Sequence, residues 1–398
     1  MVRNLIIIIA GNIAMECTVP LLVTVSALAG LYLAPSPWLA TVPAAIQMLS
    51  GSLLAVPFSR LLNRSGNRVG FMIAGASMCL GGVLAALALL TGSFFLLLAA
   101  HLLFGLALVG INFFRYAAAE SVSQHLSGTA SSVLLASGSA AVVAGGFLYA
   151  FGVGINLAIP FVGIYLIISA FGAAALLIFI PLRVLPHQGD QKTQEDVRSG
   201  FRVILEDEAL LAGVLAMVVG QVIMLMVMTP ASIASAGCGL SDVAGGYMVS
   251  AHLFAMFAPG LFTGFLMAKL GTFQVITIGA FLNICGFIAG LSLESISILY
   301  IAIPLVLSGV GWNFMFLGGT QVINAMSNQG LRSRVKGAAE TVLAGASAIF
   351  MLISGVFYNL AGWSGVLAIA ASMLILAGIS FGVRTYNASD YIIRKDKA

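Results

Sequence analysis

Apolar residues run along this chain in blocks of ~20, each closed by a short polar cluster. The blocks do not alternate as strands would, and they carry almost no charge. Each therefore reads as a helix long enough to cross a hydrocarbon core of ~30 Å. Twelve such spans are expected, near 4–30, 37–58, 68–91, 94–118, 127–151, 157–181, 209–235, 242–267, 272–292, 296–322, 337–359 and 363–385. The first block, "MVRNLIIIIAGNIAMECT", looks like a signal peptide, but no A-x-A-like cleavage site follows it, and it is read as a span. Between the sixth and seventh spans lies the one long polar stretch, "RVLPHQGDQKTQEDVRSGFRVILEDE". The organisation predicted is a six-helix half (1–181), a cytoplasmic linker (182–208), a second six-helix half (209–386) and a cytoplasmic tail (387–398). The fold class is an all-α membrane protein of twelve transmembrane helices in two parallel halves.

Composition agrees. The chain is 61% hydrophobic and 8% charged, with a mean hydropathy of +1.11, too little charge to cover a soluble surface of 398 residues. The 17 Lys and Arg set the orientation. With the N-terminus in the cytoplasm, all of the basic loop residues from Arg3 to Lys397 fall inside, and the outer loops carry only Asp242 and Glu294. The net charge of +4 is thus a topology signal and does not point to nucleic acid. No nucleotide-binding loop, Ser-His-Asp set or zinc-finger spacing occurs, so no enzyme is expected.

The two halves repeat. "VGINF" (109–113) matches "VGWNF" (310–314), "GTASSVL" (128–134) matches "GAAETVL" (337–343), and "GFLY" (146–149) matches "GVFY" (355–358). Six helices separate the members of each pair, so both have the same orientation. Parallel six-helix halves of this kind resemble the major facilitator superfamily. Its loop signature, G-x-L-x-D-R-x-G-R-K/R, is met here by "SRLLNRSGNR", with Arg64, Gly66 and Arg68 in place. Asn63 replaces the family's Asp, and so removes the charge that pins the halves in one state. A second copy, "GFLMAKLG" (264–271), follows the eighth span. The stretch "SGSAAVVAGG" lacks the proline of the drug–proton antiporter motif, which disfavours a multidrug exporter.

The 16 methionines are uneven: none occurs between Met78 and Met217, and seven fall within 217–267. In the seventh span Met224 and Met228 share a face; in the eighth, Met248, His252 and Met256 form a row. The pairs Met228–Met248 and Met224–His252 are each equidistant from Cys238 at the outer turn, so they match in depth. The Met224–His252 rung falls ~15 Å in, near the bilayer midplane, where such transporters bind substrate. Methionine at helical spacing also serves as packing. A mid-span imidazole between thioethers, however, suits Cu(I). The motifs M-x-x-x-M and H-x-x-x-M resemble the signature of the CcoA-like copper importers, bacterial inner-membrane proteins that supply copper for cbb-type haem–copper oxidase assembly. The resemblance implies copper as transported substrate, with no cofactor, and Met224, Met228, His252 and Met256 as ligands. Cys238 would act as the outer first-contact thiol, ionising more readily than buried Cys79 or Cys285. Met248 joins the set from the depth argument alone.

Among the other intramembrane polar residues, Glu16 is either a proton carrier or paired with Asn12, and Arg115 with Glu120 forms an ion pair, an interfacial anchor or part of a substrate site. Asn112 and Asn313 are repeat mates that should bond between helices. His101 is either a first-contact ligand or a packing residue. The reading is a monomeric copper importer with both termini in the cytoplasm, served by a periplasmic copper donor or thiol oxidoreductase. Its rivals are a carrier of an organic solute such as riboflavin or a drug, and a membrane sensor or assembly factor that does not transport.

Overall fold

The computed structural model describes residues 2–123, 127–155, 159–183, 197–293 and 297–395. Glu294 and residues 184–196 of the expected linker lie outside these. The helices, in order, are α1 (Val2–Glu16), α2 (Thr18–Leu33), α3 (Val42–Thr91), α4 (Phe94–Glu120), α5 (Ser127–Gly154), α6 (Val162–Phe179), α7 (Val197–Glu206), α8 (Glu208–Gly237), α9 (Asp242–Phe257), α10 (Gly260–Leu270), α11 (Thr272–Ser292), α12 (Leu299–Asn324) and α13 (Gln329–Lys395). No strand occurs among the described residues. Helices are the natural form for such apolar segments, because each closes its backbone hydrogen bonds internally and leaves none for lipid to satisfy.

Among the described residues, nine helices are long and apolar enough to cross a membrane, α1 and α2 together forming one of them. The pair α9 and α10, bent by 41°, makes a tenth. Two of these long helices are double: α3 and α13 each contain one non-helical residue, Gly66 and Gly362. Counting both as two spans brings the total to the twelve expected. The joints have local causes. Pro20 has no N–H to offer the Glu16 carbonyl, and the α1–α2 joint falls at Cys17, directly between them. Gly66 has φ 78° and ψ 162°, a backbone state open essentially to glycine alone. Gly271, which ends the second loop copy, takes φ 100° and ψ 152°. The basic turn between spans two and three is therefore helical except at Gly66.

By compactness the chain forms two units, residues 1–189 with 229–254, and residues 190–228 with 255–398. In the first, Phe71, Phe114 and Phe179 meet with ring centroids 4.7–5.4 Å apart and tie α3, α4 and α6 together. The paired ends of α8 and α9 belong to this unit. Gly246 of α9 lies against the ring of Tyr149 so closely that no side chain fits there, and Tyr247 meets Phe147 edge-on at 5.7 Å. In the second unit, Ile204 of the amphipathic α7 joins Leu210, Val214 and Met217 of α8, Ile323 of α12 and Val335 of α13 in one apolar cluster.

Candidate functional site

The methionines of α8 and α9 are all buried. Residues 221–235 of α8 are buried without interruption, so Met224, Met226 and Met228 are enclosed alike. Met224 and Met228 fall in the second unit, Met248 and His252 in the first, and Met256 in the second. His252 has no exposed surface. No three His, Cys, Asp or Glu side chains converge among the described residues, so a copper site in them would rest on thioethers and His252. Elsewhere thioethers serve packing: Met217 accepts from the Thr320 hydroxyl (3.7 Å), Met315 from Asn283 (3.8 Å) and Met78 from Thr18 (3.7 Å).

Cys238 corrects one expectation. It is half-buried, and that burial pushes its thiol pKa up, so it does not ionise as a free exposed thiol would. Cys79 and Cys285 are half-buried too, whereas Cys17 is the buried one. The Cys79 Sγ lies 3.5 Å from the Ser169 hydroxyl.

The polar residues of the first unit separate into three groups. Asn12 donates to the Leu134 carbonyl and to Ser137 Oγ, both at 3.3 Å, and not to Glu16. Both Asn12 and Glu16 reach toward Gly138 of α5, where a Cβ would lie 3.4–3.5 Å from their polar atoms. His101 is fully occupied: with its Nδ1 2.9 Å from Gln47 Oε1 and its Nε2 3.3 Å from the Tyr165 hydroxyl, it is a packing residue. At the far end of α4, Arg115 donates to the Tyr116 hydroxyl (2.9 Å) and lies over its ring. Asn67, which stands where the signature has a basic residue, donates to Glu120 (3.4 Å), while Asn63 and Arg64 are exposed and Arg68 is partly so. The repeat mates differ. Asn313 bonds between helices as expected, but Asn112 is exposed.

The second unit holds a grouping that the sequence reading missed. Trp312 stands at the middle of α12, Gln221 near the middle of α8, and Phe257 beside the break between α9 and α10. The Trp312 indole donates to Gln221 Oε1 at 2.7 Å. Its ring stacks on Phe316 (4.9 Å, 21°) and meets Phe257 edge-on (6.2 Å, 81°). Trp312 and Phe316 are half-buried and Phe257 is exposed. Next to it, Asn313 holds the break: its amide donates to the Met256 carbonyl (2.7 Å) and its oxygen accepts from Thr263 (2.7 Å), which lies just past Pro259. Transporters commonly build substrate sites at such mid-membrane helix breaks. The available signal was Gln221 itself, an amide between Met217 and Met224 in the apolar part of its span.

The profile of the major facilitator superfamily matches residues 5–350. This chain belongs to the major facilitator superfamily. It is a multi-pass membrane transporter and not an enzyme. It is 26% identical over 364 residues to the riboflavin transporter RfnT of Brucella anthropi, covering 91% of this chain and 90% of that one. It is 30% identical over 378 residues to the uncharacterized MFS-type transporter YddS of Bacillus subtilis, covering 89% and 84%. In fold it resembles the nucleoside transporter NupG (TM-score 0.69, 13% identity, 96% and 99% covered). The D-xylose–proton symporter is similar (TM-score 0.74, 14% identity, 95% and 96% covered). At such identities these two structures speak for the fold alone.

Proposed function

We propose that this transporter carries a planar aromatic organic solute of the riboflavin kind across the bacterial cytoplasmic membrane, as a monomer with both termini inside. The observation that carries the reading is its similarity to a riboflavin transporter over nine-tenths of both chains. The partly exposed Trp312–Phe316 stack supports it, because a mid-membrane aromatic surface suits a flat ring. The excess of Lys and Arg in alternate loops supports the orientation.

Copper is the second reading. It is favoured by the full burial of His252, since an imidazole in mid-span is costly unless it serves a function. In that reading Cys238 receives copper outside from a periplasmic donor or thiol oxidoreductase. One experiment separates the two. A riboflavin-requiring bacterium is grown at limiting riboflavin with and without the protein, and uptake of labelled riboflavin and labelled copper is measured in the same cells. Growth rescue with riboflavin accumulation is expected. Copper accumulation without riboflavin uptake would move the function to the second reading.

A further inference from the structure

We infer that Gln221 and Trp312 form a subsite that reads the carbonyl edge of a planar heteroaromatic ring; this rests on the organic-solute reading above. An indole N–H can only donate, so the Gln221 oxygen must face Trp312 and its two amide N–H groups must turn the other way. Those N–H groups have no partner among the described residues, although Gln221 is only 8% exposed. Unpaired amide donors at mid-span are costly in lipid, so they face a path that holds water or cargo. Beside them lies an indole whose ring is backed by Phe316 and flanked by Phe257.

The site therefore offers one flat apolar face and one edge of donors without acceptors. A ring that stacks on Trp312 and presents carbonyl oxygens along its rim satisfies both. A rim of amino groups would set donor against donor and be rejected. Trp312 thus has two roles: its ring supplies the stacking face, and its N–H fixes which end of the Gln221 amide the cargo meets. The pyrimidinedione edge of a flavin presents two such carbonyl oxygens, one on each side of a single N–H.

The test uses the full chain, in cells and purified in detergent, with riboflavin, lumichrome (the related alloxazine ring, with the same two carbonyls and no ribityl chain) and ribitol as probes. Binding is read by quenching of flavin emission, which reports stacking on an indole. Lumichrome is expected to compete with riboflavin, and ribitol is not. Gln221→Glu keeps an acceptor for the indole but removes the N–H donors, and should raise the KM for riboflavin about tenfold. Trp312→Leu should abolish the quenching. Trp312→Phe, the safer variant for folding, should keep a stacking ring yet bind several-fold more weakly, because the amide is no longer oriented. If the wild type carries riboflavin and all three variants match it, the subsite is wrong and the functional reading stands. If the wild type carries no riboflavin but binds lumichrome with quenching that Trp312→Leu removes, the subsite stands and the riboflavin reading falls. If no ring binds at all, both are overturned.

Discussion

At Asn313 a single side chain bridges the α9–α10 break, accepting from Thr263 and donating to the Met256 carbonyl. Asn313→Ala removes the donor to the buried Met256 carbonyl, while the Thr263 hydroxyl keeps the Pro259 carbonyl as its acceptor, and a loss of about 1–2 kcal/mol is expected. It should appear as a fall of several degrees in the thermal unfolding of the purified protein; an unchanged midpoint would mean the break is held by other contacts. The methionines invite a different substitution. Met224→Leu combined with Met228→Leu keeps the volume, so packing costs should stay below ~1.5 kcal/mol. Riboflavin uptake should remain at roughly half of wild type or more, while any copper uptake shown by the wild type should vanish. Riboflavin uptake close to background would place the two sulfurs in the organic cargo's path. Cys238 belongs to the same scale. Burial raises its pKa, so less thiolate is present near neutral pH. Labelling by an impermeant maleimide should be slower than for a free thiol at the same pH and should climb as pH rises; labelling at the free-thiol rate contradicts the burial.

The helices owe their course to a few breakers. Gly66 divides α3 in a conformation that costs a residue with a Cβ about 1–3 kcal/mol. Gly66→Ala is therefore expected to lower both expression and thermal stability, whereas Ala at exposed Asn63, less than one turn earlier, should alter stability little. Equal stability of the two variants would show that the Gly66 backbone state is not needed. The signature's spacing thus survives here for its turn geometry, while the side chain that reaches α4 is Asn67, through Glu120. In the eighth span the break falls at mid-membrane between Phe257 and Gly260, beside Trp312, and so it shapes the candidate site as well as the helix.

For the whole molecule, the packing of α9 against α5 within the first unit carries the clearest consequence. Gly146 lies where a Cβ would stand 3.0 Å from the Ser250 Cβ, and Gly246 lies flush with Tyr149. Such glycine contacts let two helices touch along their backbones and part again without breaking side-chain bonds. Alternating access requires contacts at one side of a transporter to open. Cysteines at Gly146 and Ser250 are therefore expected to join under mild oxidation and to stop uptake, with recovery on reduction. Full uptake in the joined state would show that this seam stays closed throughout the cycle.

Much of this was legible in the chain itself. The length of the apolar blocks and the repeat of "VGINF" as "VGWNF" point to a twelve-span, two-half transporter, because lipid forces each span to be a helix, and the positive loops carry the orientation proposed for it. Asn313 was readable as a polar group in an apolar setting, although the same reading named Asn112, which is exposed. The site was less legible. The sequence drew attention to sulfur, since a row of methionines is conspicuous along a helix. Which of those sulfurs merely pack, as Met217 does against Thr320, depends on what the neighbouring helix places opposite. Gln221 and Trp312 are 91 residues apart, and nothing in the sequence pairs them. Only tertiary packing brings an indole N–H to that amide oxygen, and only that contact decides which way the remaining donors face.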